Sequence, residues 1–198
     1  MNELKIGWAS RDVSTDKPIH IIGQFHVRIS QGVFDPIYVT ALVIDNGSDL
    51  VIFLSADVGV FRSRMLEKIR EKVAGLDPAI PVEKIVINAT HTHTGPSVYG
   101  DTPANSKMGS STPGPDEISH EGIEIASGDE YCEFFTGKAA EAICEAYARR
   151  APGGVAYGYG YAVVAHSRRV VYFDDLSKRP GAVINSTHGV NGHACMYG

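Results

Sequence analysis

Apolar and β-branched residues concentrate in short runs over the first sixty residues, and these runs predict strands. A first strand is predicted over residues 4–9, and the two clearest strands cover residues 37–45 and 50–56. Asn46-Gly47 between these two strands is a strong signal for a hairpin turn. The near-continuous apolar character of both strands predicts burial on both faces, as in the middle of a layered α/β sheet.

From Ser63 onwards the spacing of apolar residues changes to that of a helix. The apolar positions of this predicted helix are Met65, Leu66, Ile69 and Val73. Gly75 is predicted to stop the helix, and Pro78 is expected to prevent its resumption. A short apolar strand is then predicted over residues 85–89, ending at Thr90.

The second half of the chain predicts one more helix and further strands. The helix is expected from about Asp129 to Arg149, with an apolar face formed by Phe134, Phe135, Ala139, Ile143 and Tyr147. Strand character returns over residues 154–165 and 170–173. This order of elements predicts an α/β (α+β layered) fold, with a mixed β-sheet and flanking helices, in a single domain over residues 1–198.

A long segment over residues 94–128 is dominated by Gly, Pro, Ser and Thr and separates the two halves. Loops of this length inside a compact domain are usually binding loops, lids or disordered segments. A surface insertion without function is the alternative, but the segment begins directly after two histidines, which favours a binding role. The acidic run over residues 117–130 is interpreted as a solvated face or helix N-terminal charge rather than a metal site.

Composition excludes some classes of function. Apolar residues make up 43% of the 198 residues, and the formal net charge is −5 with scattered basic residues. Nucleic-acid binding needs a concentrated positive surface, so no nucleic-acid partner is expected. No apolar run approaches the roughly 20 residues that span a bilayer. No signal peptide is visible, which predicts a cytoplasmic protein, or a secreted one if such a peptide was removed.

The three cysteines, Cys132, Cys144 and Cys195, show no CxxC spacing typical of metal sites. Because three thiols cannot all pair with one another, they are interpreted as free cysteines in a reducing compartment. The sequence also lacks a G-x-S-x-G elbow and a phosphate-binding loop. Serine-hydrolase and nucleotide-binding chemistry therefore have no motif to support them.

The most informative polar residues are His91 and His93, at the carboxyl end of the predicted strand 85–89. If the strand continues, both rings point to one face; if it has ended, a turn still places both at the mouth of the sheet. Neutral imidazole is a common zinc ligand, and the neighbouring threonines could orient the rings. The spacing alone is weak evidence, but the apolar strand before it and the Gly-Pro and long loop after it favour a metal site.

At these residues a resemblance to a known family becomes specific. The run over residues 88–96, NATHTHTGP, resembles the THTHSGP motif of neutral and alkaline ceramidases and their bacterial relatives. Other stretches resemble the family in the same order, at residues 7–14, 35–42, 55–57 and 167–169. The resemblance implies the amino-terminal part of a ceramidase catalytic domain. Because family members are much longer, it also implies that this domain is partial and the chain truncated.

The resemblance implies a zinc-dependent hydrolase of sphingolipid metabolism, which cleaves an N-acyl, ceramide-like amide by metal-activated water. In that family the residue matching His91 binds zinc, and the residue matching His93 lies near the scissile carbonyl. Arg168 matches an arginine close to the site, and with His93 it could stabilise a developing oxyanion. A second zinc-binding histidine is expected later in the chain, with His193 the first candidate and His188 the second.

Two alternatives remain open at this point. One is a non-catalytic or incomplete ceramidase-like binding domain, in which the pocket persists without the metal. The other is a hydrolase of a smaller, non-lipid amide or ester. The expected partner in the catalytic versions is a small-molecule or lipid amide, and the sequence does not specify the acyl chain, the head group or the oligomeric state.

Overall fold

A computed structural model describes residues 3–23, 28–98 and 122–164, together with the backbone of 169–171 and 193–196. The chain divides into two compact units, Met1–Val155 and Ala156–Gly198. The interpretation of residues 1–198 as a single partial domain stays a prediction. None of the helices in the described residues is long and apolar enough to cross a membrane.

The first unit is built on a five-stranded mixed sheet. Its strands are β1 (Lys5–Asp12), β2 (Tyr38–Asp45), β3 (Leu50–Ala56), β4 (Ile85–Ala89) and β5 (Ala151–Pro152). Their spatial order is β4-β3-β2-β1-β5, with β3 and β4 parallel and the other neighbours antiparallel. The predicted hairpin joins β2 and β3, and Gly47 at its turn adopts a positive φ of 81°, which glycine accepts without strain. The predicted fold class is confirmed.

Two helices pack on one face of this sheet. The helix α1 (Ser63–Leu76) connects β3 to the parallel strand β4, and α2 (Gly128–Ala148) lies across β1 and β2. The buried apolar residues of α1 are Met65, Ile69 and Val73, as its spacing predicts. Gly75 does not stop α1, because the helix includes it and ends at Leu76.

Two residues of the acidic run lie in the first turn of α2. The hydroxyl of Ser127 accepts a hydrogen bond from the backbone N–H of Glu130 and caps the helix, while Asp129 and Glu130 occupy its positive end. Asp129 and Glu130 are therefore charges at a helix N-terminus, as predicted for the acidic run. Lys17 also forms an ion pair with Glu130. The predicted apolar face is wrong at Phe134, which is 40% exposed, whereas Phe135 is fully buried.

The other face of the sheet corrects the expectation that the strands are buried on both sides. Along β2 and β3 the side chains point alternately to the two faces of the sheet. In the described chain, only the side chains of these strands that face the helices are buried. On the opposite face Trp8, Leu42, Phe53 and Val86 lie side by side in register across four strands. Of these, Trp8 is 67% exposed. We call this set the open apolar row.

The second unit contains a two-stranded antiparallel sheet of β6 (Arg169–Val171) and β7 (His193–Met196). The strand predicted over 154–165 is wrong in its described part, because residues 153–164 form no helix or strand. The prediction over 170–173 is confirmed through Val171, and the remainder lies outside the described residues.

Candidate metal centre

The histidine motif forms a turn directly after β4. The strand ends at Ala89, and the parallel ladder continues for two more hydrogen bonds, from Thr90 N to Ala56 O at 2.9 Å and from His91 N to Val58 O at 3.2 Å. His91 then adopts a positive φ of 62° and reverses the chain. Of the two arrangements that the sequence left open, the structure has the turn at the mouth of the sheet.

The turn brings the two imidazole rings together. Nδ1 of His91 lies 2.6 Å from the carbonyl oxygen of Gly59, so this nitrogen carries the proton and donates it. The Nε2 of His91 is left as a lone-pair atom and lies 3.3 Å from Nε2 of His93. The rings meet edge to face at an interplanar angle of 82°, and both residues are exposed to solvent.

This arrangement fits part of a zinc site. Two imidazole nitrogens bound to one tetrahedral zinc ion at 2.0–2.1 Å would be about 3.3–3.4 Å apart. The Nε2 atoms of His91 and His93 already have this separation. The hydrogen bond from His91 to a backbone carbonyl is the outer partner that metal-binding histidines ordinarily have. In the described residues these two histidines are not joined by a third His, Cys, Asp or Glu that could hold a metal.

The backbone at Gly23 packs against the ring of His93. Gly23 has a positive φ of 101°, and a Cβ atom built on it would collide with the side chain of His93. Only glycine therefore lets this backbone approach the ring so closely. Gly59, whose carbonyl oxygen contacts His91, likewise has no room for a side chain, because a Cβ atom there would collide with Ile22.

Arg28 ties the same two segments together. Its guanidinium donates to the carbonyl oxygen of Ile22 at 2.7 Å and to the carbonyl oxygen of His93. Arg28 is half-buried, and this burial lowers the pKa of its guanidinium. Sequence analysis did not identify Arg28, since its contact with His93 joins residues 65 positions apart.

The threonines do not orient the rings as expected. Thr90 donates to Asp57 at 3.2 Å, and the hydroxyls of Thr92 and Thr94 bond to each other at 2.9 Å. Asp57 also accepts from the backbone N–H of Tyr38 at 2.9 Å, so the carboxylate joins the ends of β2 and β4. The threonines therefore stabilise the turn, and the carbonyl of Gly59 orients His91.

The long segment over residues 94–128 is fastened near both ends. Ser97 N donates to His20 O at 2.7 Å, and Ala126 N donates to Pro18 O at 2.8 Å. The first bond holds Ser97 beside the segment that carries Gly23, and the second holds Ala126 beside Pro18. Most of the predicted loop, over residues 99–121, lies outside the described residues.

The structure brings together only part of the predicted site. His91 and His93 are adjacent, but Arg168 and His188 lie outside the described residues. His193 is the first residue of β7, where only the backbone is described. The roles of Arg168 and His193 stay predictions.

Comparison with known proteins identifies solved structures that share this fold. No protein-family model and no curated protein matches the chain. The solved structure of neutral ceramidase from Pseudomonas aeruginosa matches it with a TM-score of 0.60 and 18% identity, over 77% of this chain and 23% of that one. A ceramidase complexed with C2 matches with a TM-score of 0.59 and 17% identity, over 77% of this chain and 22% of that one.

This chain has a ceramidase-like fold. The resemblance expected from the sequence is thereby confirmed at the level of architecture. The chain spans less than a quarter of the length of the two ceramidase chains, at 23% and 22%. In this ceramidase-like fold the histidine turn occupies the carboxyl edge of the parallel strands β3 and β4, where ligands commonly bind in sheets flanked by helices.

Proposed function

We propose that this chain forms part of a zinc-dependent hydrolase that cleaves an N-acyl, ceramide-like amide. The observation that carries the proposal is the convergence of the Nε2 atoms of His91 and His93, 3.3 Å apart, at the exposed edge of a ceramidase-like fold. A zinc ion there would supply the Lewis acidity that makes water nucleophilic at neutral pH.

The protein's own groups have distinct tasks in this proposal. His91 holds the metal through Nε2, because its Nδ1–H is committed to the carbonyl of Gly59. His93 stands beside it, where its ring can donate to the carbonyl oxygen of a substrate or exchange a proton with it. Arg168 is proposed as a further donor for the oxyanion, and His193 as a further metal ligand.

A second candidate is a ceramidase-like binding domain with an incomplete metal site. The observation that favours it is that His91 and His93 are not joined in the described residues by a third His, Cys, Asp or Glu that could hold a metal. A catalytic zinc site generally has three protein ligands, so with His91 as one of them the catalytic proposal requires two more from elsewhere.

Metal content and activity distinguish these proposals. The full chain is purified with zinc, and its metal is quantified by elemental analysis beside the variants His91→Ala and His20→Gln. The hydrolase proposal expects near-stoichiometric zinc that is lost in His91→Ala and kept in His20→Gln, which removes a histidine outside the turn. It also expects release of amine from a panel of N-acyl amines.

The outcomes separate three functions. Cleavage of long-chain N-acyl amines supports the ceramide-like substrate, whereas cleavage confined to short amides or esters supports the smaller-substrate alternative. A chain without zinc that still binds an acylated ligand supports the binding domain. Zinc retained at full occupancy in His91→Ala would contradict the assignment of the metal centre.

A further inference from the structure

The turn between β2 and β3 places an asparagine directly before a glycine at the surface. Asn46 and Gly47 are both exposed to solvent. Asparagine is among the chemically labile residues, and a following glycine has no Cβ atom to hinder approach to its backbone nitrogen. The turn therefore presents an electrophile, the side-chain amide carbon of Asn46, beside a nucleophile, the backbone nitrogen of Gly47.

The backbone nitrogen of Gly47 is hydrogen-bonded to a carboxylate. Its N–H donates to Oδ1 of Asp45 at 2.8 Å. The other carboxylate oxygen of Asp45 accepts from Arg150 at 3.1 Å, which fixes the orientation of the carboxylate. A carboxylate at this distance is in position to accept the proton of the nitrogen as that nitrogen attacks a carbonyl carbon.

The side-chain carbonyl of Asn46 is held by three donors. Its Oδ1 accepts from the backbone N–H of Ser48 at 2.9 Å, from the hydroxyl of Ser48 at 2.8 Å and from the backbone N–H of Asp49 at 2.8 Å. Negative charge develops on this oxygen when the amide carbon is attacked. Donors that already point at the oxygen lower the free energy of that charged state.

The sequence contains a second Asn-Gly pair that lacks these neighbours. Asn191-Gly192 lies outside the described residues, and it is flanked in the sequence by Val190 and His193. It has neither a carboxylate directly before it nor a hydroxyl directly after it. The two pairs therefore separate the reactivity of the dipeptide from the contribution of the hairpin turn.

We propose that the hairpin turn modifies itself, converting Asn46 into aspartate and isoaspartate through a cyclic imide. Asp45 acts as the base, and Ser48 and Asp49 supply the donors for the oxyanion. The proposal is independent of the proposed hydrolase function, because this turn precedes β3 whereas the histidine turn bonds to the end of β3 and the residues after it.

The first step closes a five-membered ring. The proton of the Gly47 nitrogen passes to the carboxylate of Asp45, and the electron pair left on nitrogen forms a bond to Cγ of Asn46. The tetrahedral intermediate then breaks the bond from Cγ to Nδ2. This nitrogen takes up the proton held by Asp45 and leaves as ammonia, so that the imide remains and Asp45 is again a carboxylate.

The second step consumes one water molecule. Addition of water at Cγ breaks the bond from Cγ to nitrogen and gives aspartate, whereas addition at the backbone carbonyl carbon of residue 46 breaks the bond from that carbon to nitrogen and gives isoaspartate. In both cases the hydroxyl goes to carbon and the proton to nitrogen. The net reaction releases ammonia and adds one negative charge to the formal net charge of −5.

The first test compares the native chain with an unstructured peptide of residues 43–52 at the same neutral pH and temperature. Peptide mapping by mass spectrometry measures the loss of Asn46 and the formation of the two products. The native chain should react about ten-fold faster or more, because the fold aligns the reacting groups and supplies the donors. A native rate equal to or below that of the peptide would overturn the proposal.

The second test removes the donor hydroxyl. Ser48→Ala should slow the reaction of Asn46 in the native chain about ten-fold, and Ser48→Thr, which keeps a hydroxyl, should recover most of the rate. Reaction at Asn191 is the internal control and should be equal in all three chains. An unchanged rate at Asn46 in Ser48→Ala would show that the hydroxyl does not act as an oxyanion donor and would contradict the proposed arrangement.

The third test removes the base. Asp45→Asn keeps an acceptor for the Gly47 N–H but cannot take its proton, and it should slow the reaction about ten-fold or more. Asp49→Asn is the matched control, since it removes the same charge from the same turn and leaves its backbone N–H in place. Arg150→Gln breaks the ion pair of Asp45 and keeps the carboxylate. Equal rates in Asp45→Asn and Asp49→Asn would contradict the assignment of Asp45 as the base.

Discussion

The backbone of His91 is a point of local strain whose surroundings hold it in place. A non-glycine residue in the left-handed region, here at a φ of 62°, costs on the order of 1–3 kcal/mol. The hydrogen bond to Val58 and the ring contact with Gly59 offset this cost. His91 is therefore placed by tertiary contacts more than by its own conformational preference.

Gly23 offers a test of how closely the site is packed. If His91 holds zinc as proposed, Gly23→Ala should lower zinc affinity about 10–100-fold, because the new Cβ would displace the ring of His93, which packs against the ring of His91. Gly32→Ala is the matched control, since Gly32 also has a positive φ, of 150°, but has no atom near its would-be Cβ. Isothermal titration with zinc measures both, and equal losses in the two variants would mean that backbone strain, rather than the clash, is responsible.

Arg28 should behave as a positioning residue. Arg28→Met leaves the carbonyls of Ile22 and His93 without their donor and should lower the free energy of unfolding by about 1–3 kcal/mol. It should lower kcat more than it raises KM, because the ring of His93 is misplaced while the substrate site remains. Arg28→Lys should recover part of both effects. Thermal unfolding measures the change in stability, and steady-state kinetics measures kcat and KM. An unchanged kcat in Arg28→Met would contradict the assignment of Arg28 as a positioning residue.

Between elements, β1 and α2 approach each other closely at Gly7. A Cβ atom on Gly7 would collide with the carbonyl oxygen of Ala146, so the absence of a side chain lets helix and sheet meet. Along the same interface Arg11 pairs with Glu141 at 3.2 Å. The packing thus depends on one glycine and is oriented by charged pairs at its edge.

Substitution of two glycines should change stability in opposite directions. Gly7→Ala should destabilise the first unit by roughly 1–3 kcal/mol through overpacking. Gly137→Ala, inside α2 with open space around it, should stabilise by about 0.5–1 kcal/mol, because alanine favours the helix. Urea unfolding measures both, and a neutral Gly7→Ala would show that α2 can move away from the sheet.

The sequence correctly predicts those elements whose formation depends on local sequence pattern. Asn46-Gly47 and the β-branched runs on either side give the hairpin because turn and strands agree with each other. The run over residues 154–164 has the same alternation but no strand structure, since a strand also needs a hydrogen-bonded partner and no described strand pairs with this run. The contacts of Gly59 and Arg28 join residues 32 and 65 positions apart, beyond the reach of local patterns.

At the scale of the whole molecule, the first unit contains every element that positions the histidine turn. The buried apolar residues of the described chain lie between Ala9 and Ala146. The open apolar row on the far side of the sheet leaves Trp8 and Phe53 exposed in the described chain. The helix side therefore supplies the core of this unit, and the far side contributes little to it.

A protein ending at Val155 should consequently fold by itself. Because the sheet, both helices and the core lie before that residue, we expect one cooperative thermal transition within a few degrees of that of the full chain. Differential scanning calorimetry of the two proteins makes the comparison. A fragment that fails to unfold cooperatively would show that the second unit is needed for stability.

The parallel pairing of β3 with β4 has a consequence for the order in which the protein folds. The hairpin of β2 and β3 closes through four residues, Asn46 to Asp49, whereas β4 reaches β3 through the longer crossover of residues 57–84, which includes α1 and makes this pairing slower. The turn with His91 needs β3 and the residues that follow it as hydrogen-bond acceptors, so it belongs to the later stage. During refolding, the proposed metal site should therefore form after the early hairpin.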